Sequence, residues 1–507
     1  MLRRPVALLV ALFIAASPLA AQPVGTAMLL TSDSSRALLD EGRAALIDLR
    51  LNDAEAVLRR LQARPDGAPA ALLTRAHLAL YRAFLQDDDA QFAVFARRAD
   101  SLDRALAPLP DSRWRSTMGA EADLLRALVA VRKEQMLRAA LAGRDAYNGY
   151  EKATSGTPSV ADADLGFGLI QFLIGSAPRT YQTILRLLGF RGSVEGGRAR
   201  MLRAAEHGTY RATEANLALA VLDLTVRDDR EGGRARAEAL RTAQPASPLT
   251  GLLLGYTLLG DRRASQALPI LAQTVEQGNR PDVAAVRFAH FYLADALLKT
   301  GRPADAEREA RAYLRGLRGP SLRAQAQRAL GTALELQGRH SEAVAVFRQI
   351  RKTRISENEE AAVRYAARFI AAPMTDVEKA LLEAESAYED HRTVDAEAGF
   401  RAVLARPDAT PANRAEANYR LGRTLADDAG RAADARRAFE AVLAAPGPDA
   451  LAGYAPWSQF YLGTLDAKAG RKADARRRFN AALAEDSAFD YHQSLEQRAK
   501  AALETVR

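Results

Sequence analysis

LGTALELQGRHSEAVAVF, residues 330–347, decides the fold. Gly331 is followed by Gly338, Ala343 and Phe347, and the same order returns over 462–479 as Gly463, Gly470, Ala475 and Phe479. LADALLKTGRPADAEREA, 293–310, repeats it with Ala294, Gly301, Ala306 and Ala310. LGRTLADDAGRAADARRAF, 421–439, has Gly422, Gly430, Ala435 and Phe439, with one more residue in the turn. Each position has a task in a helix–turn–helix unit. The first small residue lets two antiparallel helices approach closely, and the second glycine takes the left-handed conformation that ends the first helix. The small residue of the second helix faces the first across the crossing, while the aromatic one turn later fills the gap toward the next unit. Such a pair cannot bury its apolar face alone, so neighbours must stack on it.

Weaker copies extend the pattern. Gly42, Ala45, Ala54, Leu58 and Pro65 fit one; Gly255, Leu258, Ala267 and Leu271 another; Ala384, Ala387, Ala396, Phe400 and Pro407 a third; and Leu217, Ala218 and Val221 begin a unit ending near Pro245. This order of small residue, Gly, Ala and Phe resembles the tetratricopeptide repeat, although the signature Trp is missing from almost every copy and the spacing is longer. The resemblance implies an all-α fold, an α-solenoid in which TPR-like helix–turn–helix repeats wind into a right-handed superhelix. About ten or eleven helix pairs are expected between Ser34 and Asp486, closed by a capping helix from Tyr491 to Val506. AAPMTD, around Pro373, interrupts the helical periodicity, with Thr375 or Asp376 placed to start the next helix. The expected organisation is therefore 34–372 and 376–507, with an irregular insert at 164–210.

That insert, DLGFGLIQFLIGSAPRTYQTILRLLGFRGSVEGGRARMLRAAEHGTY, does not follow the repeat. Gly166, Gly168, Pro178, Leu187, Leu188, Gly189, Phe190, Gly192 and Gly197 make it similar to the central segment of the tetratricopeptide repeat protein 39 family and its bacterial relatives. This second resemblance implies a scaffold and no more. The turn from Gly189 to Gly197 lacks the preceding strand and the Lys-Ser/Thr of a phosphate loop, and Glu195 would repel the anion. The apolar run Leu169–Ile174, with Ile184–Leu188, has the spacing of a core helix pair; membrane docking through 165–190 and basic helices is the alternative.

Composition agrees. Aromatics supply 6% of the 507 residues, while the helix formers Ala, Leu, Arg and Glu dominate. MLRRPVALLVALFIAASPLAAQ opens with Arg3 and Arg4, runs apolar from Val6 to Ala16 and ends in small residues, which reads as a signal peptide over 1–21, cleaved after Ala21. Export to the periplasm or cell envelope follows as the expectation. Cysteine is absent, so disulfides, thiolate metal sites and Cys nucleophiles are excluded. The formal charge of +9 is carried mostly by Arg interleaved with acids along helices, the pattern of a solvated surface and not of a nucleic-acid stripe.

No constellation for chemistry emerges. His77, His207, His290, His340, His391 and His492 are scattered, without one-turn metal spacing, and most are expected in turns or on the surface. The acidic runs Asp87–Asp89 and Glu357, Glu359, Glu360 suit helix starts. Arg471, Lys472, Arg476, Arg477 and Arg478 read as a solvated basic face. No catalytic, cofactor or metal residues are assigned. The tetratricopeptide resemblance implies a concave groove lined by each first helix, offered to a protein or peptide partner, with Tyr292, Asp295, Arg420, Arg423, Tyr461 and Asp466 as candidate contacts. The expectation is a non-enzymatic scaffold; a hydrolase on a helical toroid would need an acidic pocket that no motif reveals.

Overall fold

The computed structural model describes residues 27–506 except 87, 156–158, 177–184, 187–188, 227–228, 281–285, 316, 318, 320, 353–355, 446–452 and 485–488. The expected signal peptide, Pro178, Ile184, Leu187 and Leu188 lie outside the described residues. Among those described there are twenty-four α-helices and no strand, and the fold is an all-α solenoid of stacked hairpins.

Two compact units are present: residues up to 261 with 269–289 and 317–319, and residues 262–268, 290–316 and from 320 onward. Unit 1 pairs α1 (Asp33–Ile47) with α2 (Leu51–Gln62), α3 (Ala68–Gln86) with α4 (Ala90–Leu106), and α5 (Arg113–Arg132) with α6 (Met136–Thr154). It continues with α7 (Ala163–Ser176) and α8 (Val194–His207), α9 (Ala212–Thr225) and α10 (Arg230–Ala243), then α11 (Pro248–Gly260). The helices α12 (Ala264–Gly278) and α13 (Arg287–Lys299) have residues in both units. Unit 2 goes on with α14 (Pro303–Leu314), α15 (Arg323–Leu336), α16 (His340–Phe347) and the single helix α17 (Glu357–Ala371). Then come α18 (Asp376–Tyr388) with α19 (Thr393–Ala405), α20 (Pro411–Ala426) with α21 (Ala432–Ala444), α22 (Tyr454–Lys468) with α23 (Lys472–Leu483), and α24 (His492–Thr505). The interruption at Pro373 separates α17 from α18, and both helices belong to unit 2.

The repeat residues meet as the pattern requires. A Cβ added to Gly422 would come 2.6 Å from Phe439 Cε1, one on Gly463 2.7 Å from Phe479 Cε1, and one on Gly42 2.8 Å from Leu58. Each aromatic thus lies first on the glycine of its own hairpin, a closer relation than the expected gap-filling toward the next unit. It does both: Phe439 also stacks on Tyr461 of the following hairpin, ring centroids 5.2 Å apart. Phe347, Phe400, Phe439 and Phe479 are at most 1% exposed, each contributing roughly 1.5–3 kcal/mol by burial. Gly301, Gly338 and Gly470 take φ near +73 to +75°, the left-handed turn expected of them. The longer turn at Gly430 is instead a 3-10 turn, Ala429–Arg431. In four other hairpins the same conformation is taken by a residue with a Cβ: Leu49, Glu134, Arg262 and His391, all at φ of +57 to +60°.

In the 164–210 insert the glycines serve close crossing. A Cβ on Gly168 would strike the Gly197 carbonyl oxygen at 2.6 Å, and one on Gly192 the Gln171 oxygen at 2.5 Å. Leu165, Phe167, Leu169, Ile170, Phe172 and Ile174 are all buried. This part of the insert is core, and docking through it is corrected accordingly: α7 spends its apolar face on α8 and on Tyr147 and Tyr150 of α6.

Candidate functional site

Where the first helices of unit 1 meet, α9 and α11 read LALAVLDL and LLLGYTLL and are buried on every face, as helices apolar all round must be. These two helices therefore leave no face open to line a groove in unit 1. Its interior instead holds a charged network. Arg43 of α1 pairs with Glu214 of α9 at 2.5 Å. Arg211 reaches Glu214 at 3.1 Å and Glu121 of α5 at 3.0 Å. His77 Nε2 lies 3.1 Å from Glu121, which also accepts the Tyr150 hydroxyl at 2.9 Å. Asp162 accepts the backbone N–H groups of Thr209, Tyr210 and Arg211 and fixes the turn that presents Arg211. Burial, with Arg211 beside it, brings His77 down to about 4. Burial alone would raise Glu121, but Arg211, His77 and Tyr150 bring it down to about 2. With Arg43, His77, Glu121, Arg211 and Glu214 no more than 4% exposed, the network is sealed and holds the unit together. His77 is thus the exception among histidines expected mostly in turns or on the surface.

In unit 2 the first helices α18 and α20 are amphipathic instead. Thr375 opens α18 with a capping box to Glu378, and Thr410 opens α20 with one to Asn413, Pro411 following at the first helical position. These caps set the register of α18 and α20, which carry Glu385, Tyr388, Glu416, Tyr419, Arg420 and Arg423. Arg420 pairs with Glu385 and, at 2.9 Å, with Glu416. The Arg423 guanidinium lies 5.0 Å from the Tyr388 ring centroid and 5.8 Å from that of Tyr419, with Glu385 3.8 Å away. Arg262 covers Tyr388 at 4.2 Å and pairs with Asp427 at 2.6 Å. From α22, Tyr454 and Tyr461 stand 5.2 and 6.1 Å from Tyr419, and Trp457 stands 6.3 Å from Tyr461. Lys299 of α13 joins Asp295 at 3.0 Å and Glu389 at 3.3 Å.

Electrostatically the band is balanced. Burial would raise Glu385, but Arg420, Arg423 and Lys299 hold it below the ordinary carboxylate range. Burial would lower Lys299 and Arg420, and their carboxylate neighbours raise both instead. Tyr388 is pushed up to about 12 by burial. Tyr388 therefore stays protonated, and Glu385, Lys299 and Arg420 stay charged near neutrality, so the band offers hydrogen bonds, ion pairs and ring faces to a ligand. Arg423 and Arg420 keep about a quarter of their side chains exposed, 25% and 22%. Four of the chain's 14 Tyr and one of its two Trp gather here, with the Arg that accompanies them in binding hot spots. Among the described residues no trio of His, Asp and Glu is placed to hold a metal ion.

Of the six candidate contacts, Arg420, Arg423 and Tyr461 come together in this band, and Asp295 flanks it through Lys299. Tyr292 is half-buried against Phe291, ring centroids 5.1 Å apart. Asp466 is 2% exposed and pairs with Arg436 and Arg471 at 2.6 and 2.7 Å, locking two hairpins together. Sequence reasoning missed Glu385, Tyr388, Tyr419, Arg262 and Tyr454. The signal available was the one-turn spacing of Glu385 to Tyr388 and of Tyr419 to Arg423. The basic run at 471–478 disperses: Arg471 goes to Asp466, Arg476 to the Val506 carbonyl, Arg477 to Asp474 and Arg478 to Gln459.

Residues 252–316 and 291–360 match a family model described as tetratricopeptide repeat. No curated protein matches the sequence. Solved structures similar to this chain include the human IFIT1 dimer with PPP-AAAA, at 13% identity and TM-score 0.32 over 94% of this chain and 95% of that one. Others are the Rap protein complexed with Competence and Sporulation Factor (11% identity, TM-score 0.32, 87% of this chain and 99% of that one) and the APC/C hetero-tetramer Cut9-Hcn1 (12%, 0.29, 92% and 96%). These scores are too low to carry curvature, ligand or assembly across.

Proposed function

Because the chain is a tetratricopeptide repeat protein, we propose that it is a non-enzymatic scaffold of the bacterial cell envelope that holds an extended segment of a partner protein against the first-helix band of unit 2. The observation that carries this is the cluster of partly exposed Tyr419, Tyr461, Arg420 and Arg423, laid over buried Tyr388 and pre-ordered by Glu385. Rigid aromatic and guanidinium groups lose little freedom on binding, so they suit reversible recognition. The alternating charges favour a segment that carries both signs, while the sealed interior of unit 1 leaves no room for such a segment there. The apolar run at Val6–Ala16 supports export, and cleavage before Gln22 would place the scaffold in the periplasm.

The test is a photo-crosslinking amino acid at Tyr461 or Tyr419, compared with one at Arg437 on α21, whose side chain is 72% exposed. The proposal expects discrete adducts in native envelopes from the first two positions, lost on Arg420→Glu with Arg423→Glu. Adducts equally abundant at Arg437, or none at 419 and 461, refute it.

A further inference from the structure

The hairpin of α5 and α6 is long, 20 and 19 residues, and residues 133–138 at its tip are all exposed. Val131 is 46% exposed, Met136 56%, Leu137 74% and Leu141 60%, four of the six most exposed large apolar side chains among the described residues. Met136, Leu137, Ala140 and Leu141 share one face of the first turns of α6, where a solvated helix would carry polar residues. Lys133 and Arg138 flank them, both exposed. Asp89 of the neighbouring turn is faced by Arg132 at 4.0 Å, which leaves Glu134 as the acid of the turn itself.

We propose that this tip is a membrane-contacting finger: the apolar side chains enter the interface of a phospholipid surface, and Lys133 and Arg138 meet anionic headgroups. The size of the patch favours lipid over protein. The four side chains expose roughly 400 Å² of apolar surface, enough to mark an interaction site, yet about half of the ~800 Å² per partner in a stable protein interface. A second copy would also bring Lys133 and Arg138 against their own kind, whereas a fluid surface accepts a convex tip one side chain at a time and rewards its cations. Long basic side chains beside apolar ones can bury their stems and keep their charges at headgroup level.

The experiment uses the chain from Gln22 onward, so that Val6–Ala16 contributes nothing, in flotation with vesicles of phosphatidylcholine containing one quarter phosphatidylglycerol. The chain should float. Leu137→Ser with Leu141→Ser should weaken partition about tenfold or more, and Lys133→Glu with Arg138→Glu several-fold, with loss of the salt dependence. Both variants replace exposed residues, so their helicity and melting should match the parent. Failure of the parent to float, or equal flotation of the serine variant, overturns the proposal. So does a parent dimer in light scattering that the serine variant turns into a monomer, because the tip would then be a contact between copies.

Discussion

Gly422→Ala is the sharpest probe of how the hairpins nest. Alanine in a helix interior is by itself better than glycine by about 0.5–1 kcal/mol, so a surface reading predicts stabilisation. Here the new methyl would sit 2.6, 2.8 and 2.8 Å from three carbons of the Phe439 ring. That ring is fully buried and stacks in parallel on Tyr461 at 5.2 Å, so it has little room to turn. Overpacking of this kind costs about 1–3 kcal/mol, and the net expectation is a loss of about 1–2 kcal/mol once the propensity gain is subtracted. In a Phe439→Leu background the ring is gone, and the same Gly422→Ala change should become favourable by about 0.5–1 kcal/mol. The assay is urea titration followed by far-ultraviolet circular dichroism, with hydrogen exchange in α20 and α21 as the local readout. The coupling between the two changes should be about 1.5–3 kcal/mol. A neutral or stabilising Gly422→Ala in the parent, or the same effect in both backgrounds, refutes the crossing geometry.

Other outcomes follow from the two units. His77 and Glu121 are both depressed in the folded state, so the unfolded chain binds protons first as pH falls. The stability they contribute is complete above about 6.5, declines between 6.5 and 4 as His77 takes a proton only in the unfolded chain, and falls further toward 2 through Glu121. Melting of unit 1 from pH 7 down to 4 should show this decline, on the order of 3 kcal/mol for His77 alone, and His77→Gln should flatten the part above pH 4. Glu214→Gln removes the acid shared by buried Arg43 and Arg211 and should cost about 3–5 kcal/mol in urea denaturation; a cost below 1 kcal/mol would show the network to be dispensable. Gly338→Ala meets no atom within 4 Å but must hold φ +73°, so it should cost about 1 kcal/mol by strain alone, and no second-site change in α16 should relieve it.

Local grammar made the hairpins legible. Where glycine and phenylalanine recur, the residues marked each hairpin and its turn, but the aromatic was expected toward the next unit and lies first on the glycine of its own. Leu49, Glu134, Arg262 and His391 broke that grammar: they adopt the glycine-like turn because the helices on either side impose it, and a strain of about 1 kcal/mol is easily carried by a packed hairpin. The network of unit 1 joins residues far apart in the chain, Arg43 to Glu214 and His77 to Glu121, and no periodicity encodes such pairs. For the candidate site, the first helices were readable but not which of their faces would stay open. Asp466 looked like a groove residue and is a fastener, although Arg471 five positions on was a usable sign, as was His340 five after Glu335, which it meets at 2.6 Å.

The closure of unit 1 has a bearing on the order in which the chain takes shape. A simple row of hairpins can fold one after another as each leaves the ribosome. In this unit the end of α1 waits for partners that are translated much later, Glu214 for Arg43 and Ser247, whose hydroxyl caps the Ile47 carbonyl at 2.9 Å. The first hairpin therefore emerges with Arg43 uncompensated, and a nascent chain arrested before Ser247 should remain protease-sensitive at its amino end, maturing only when the circuit is completed.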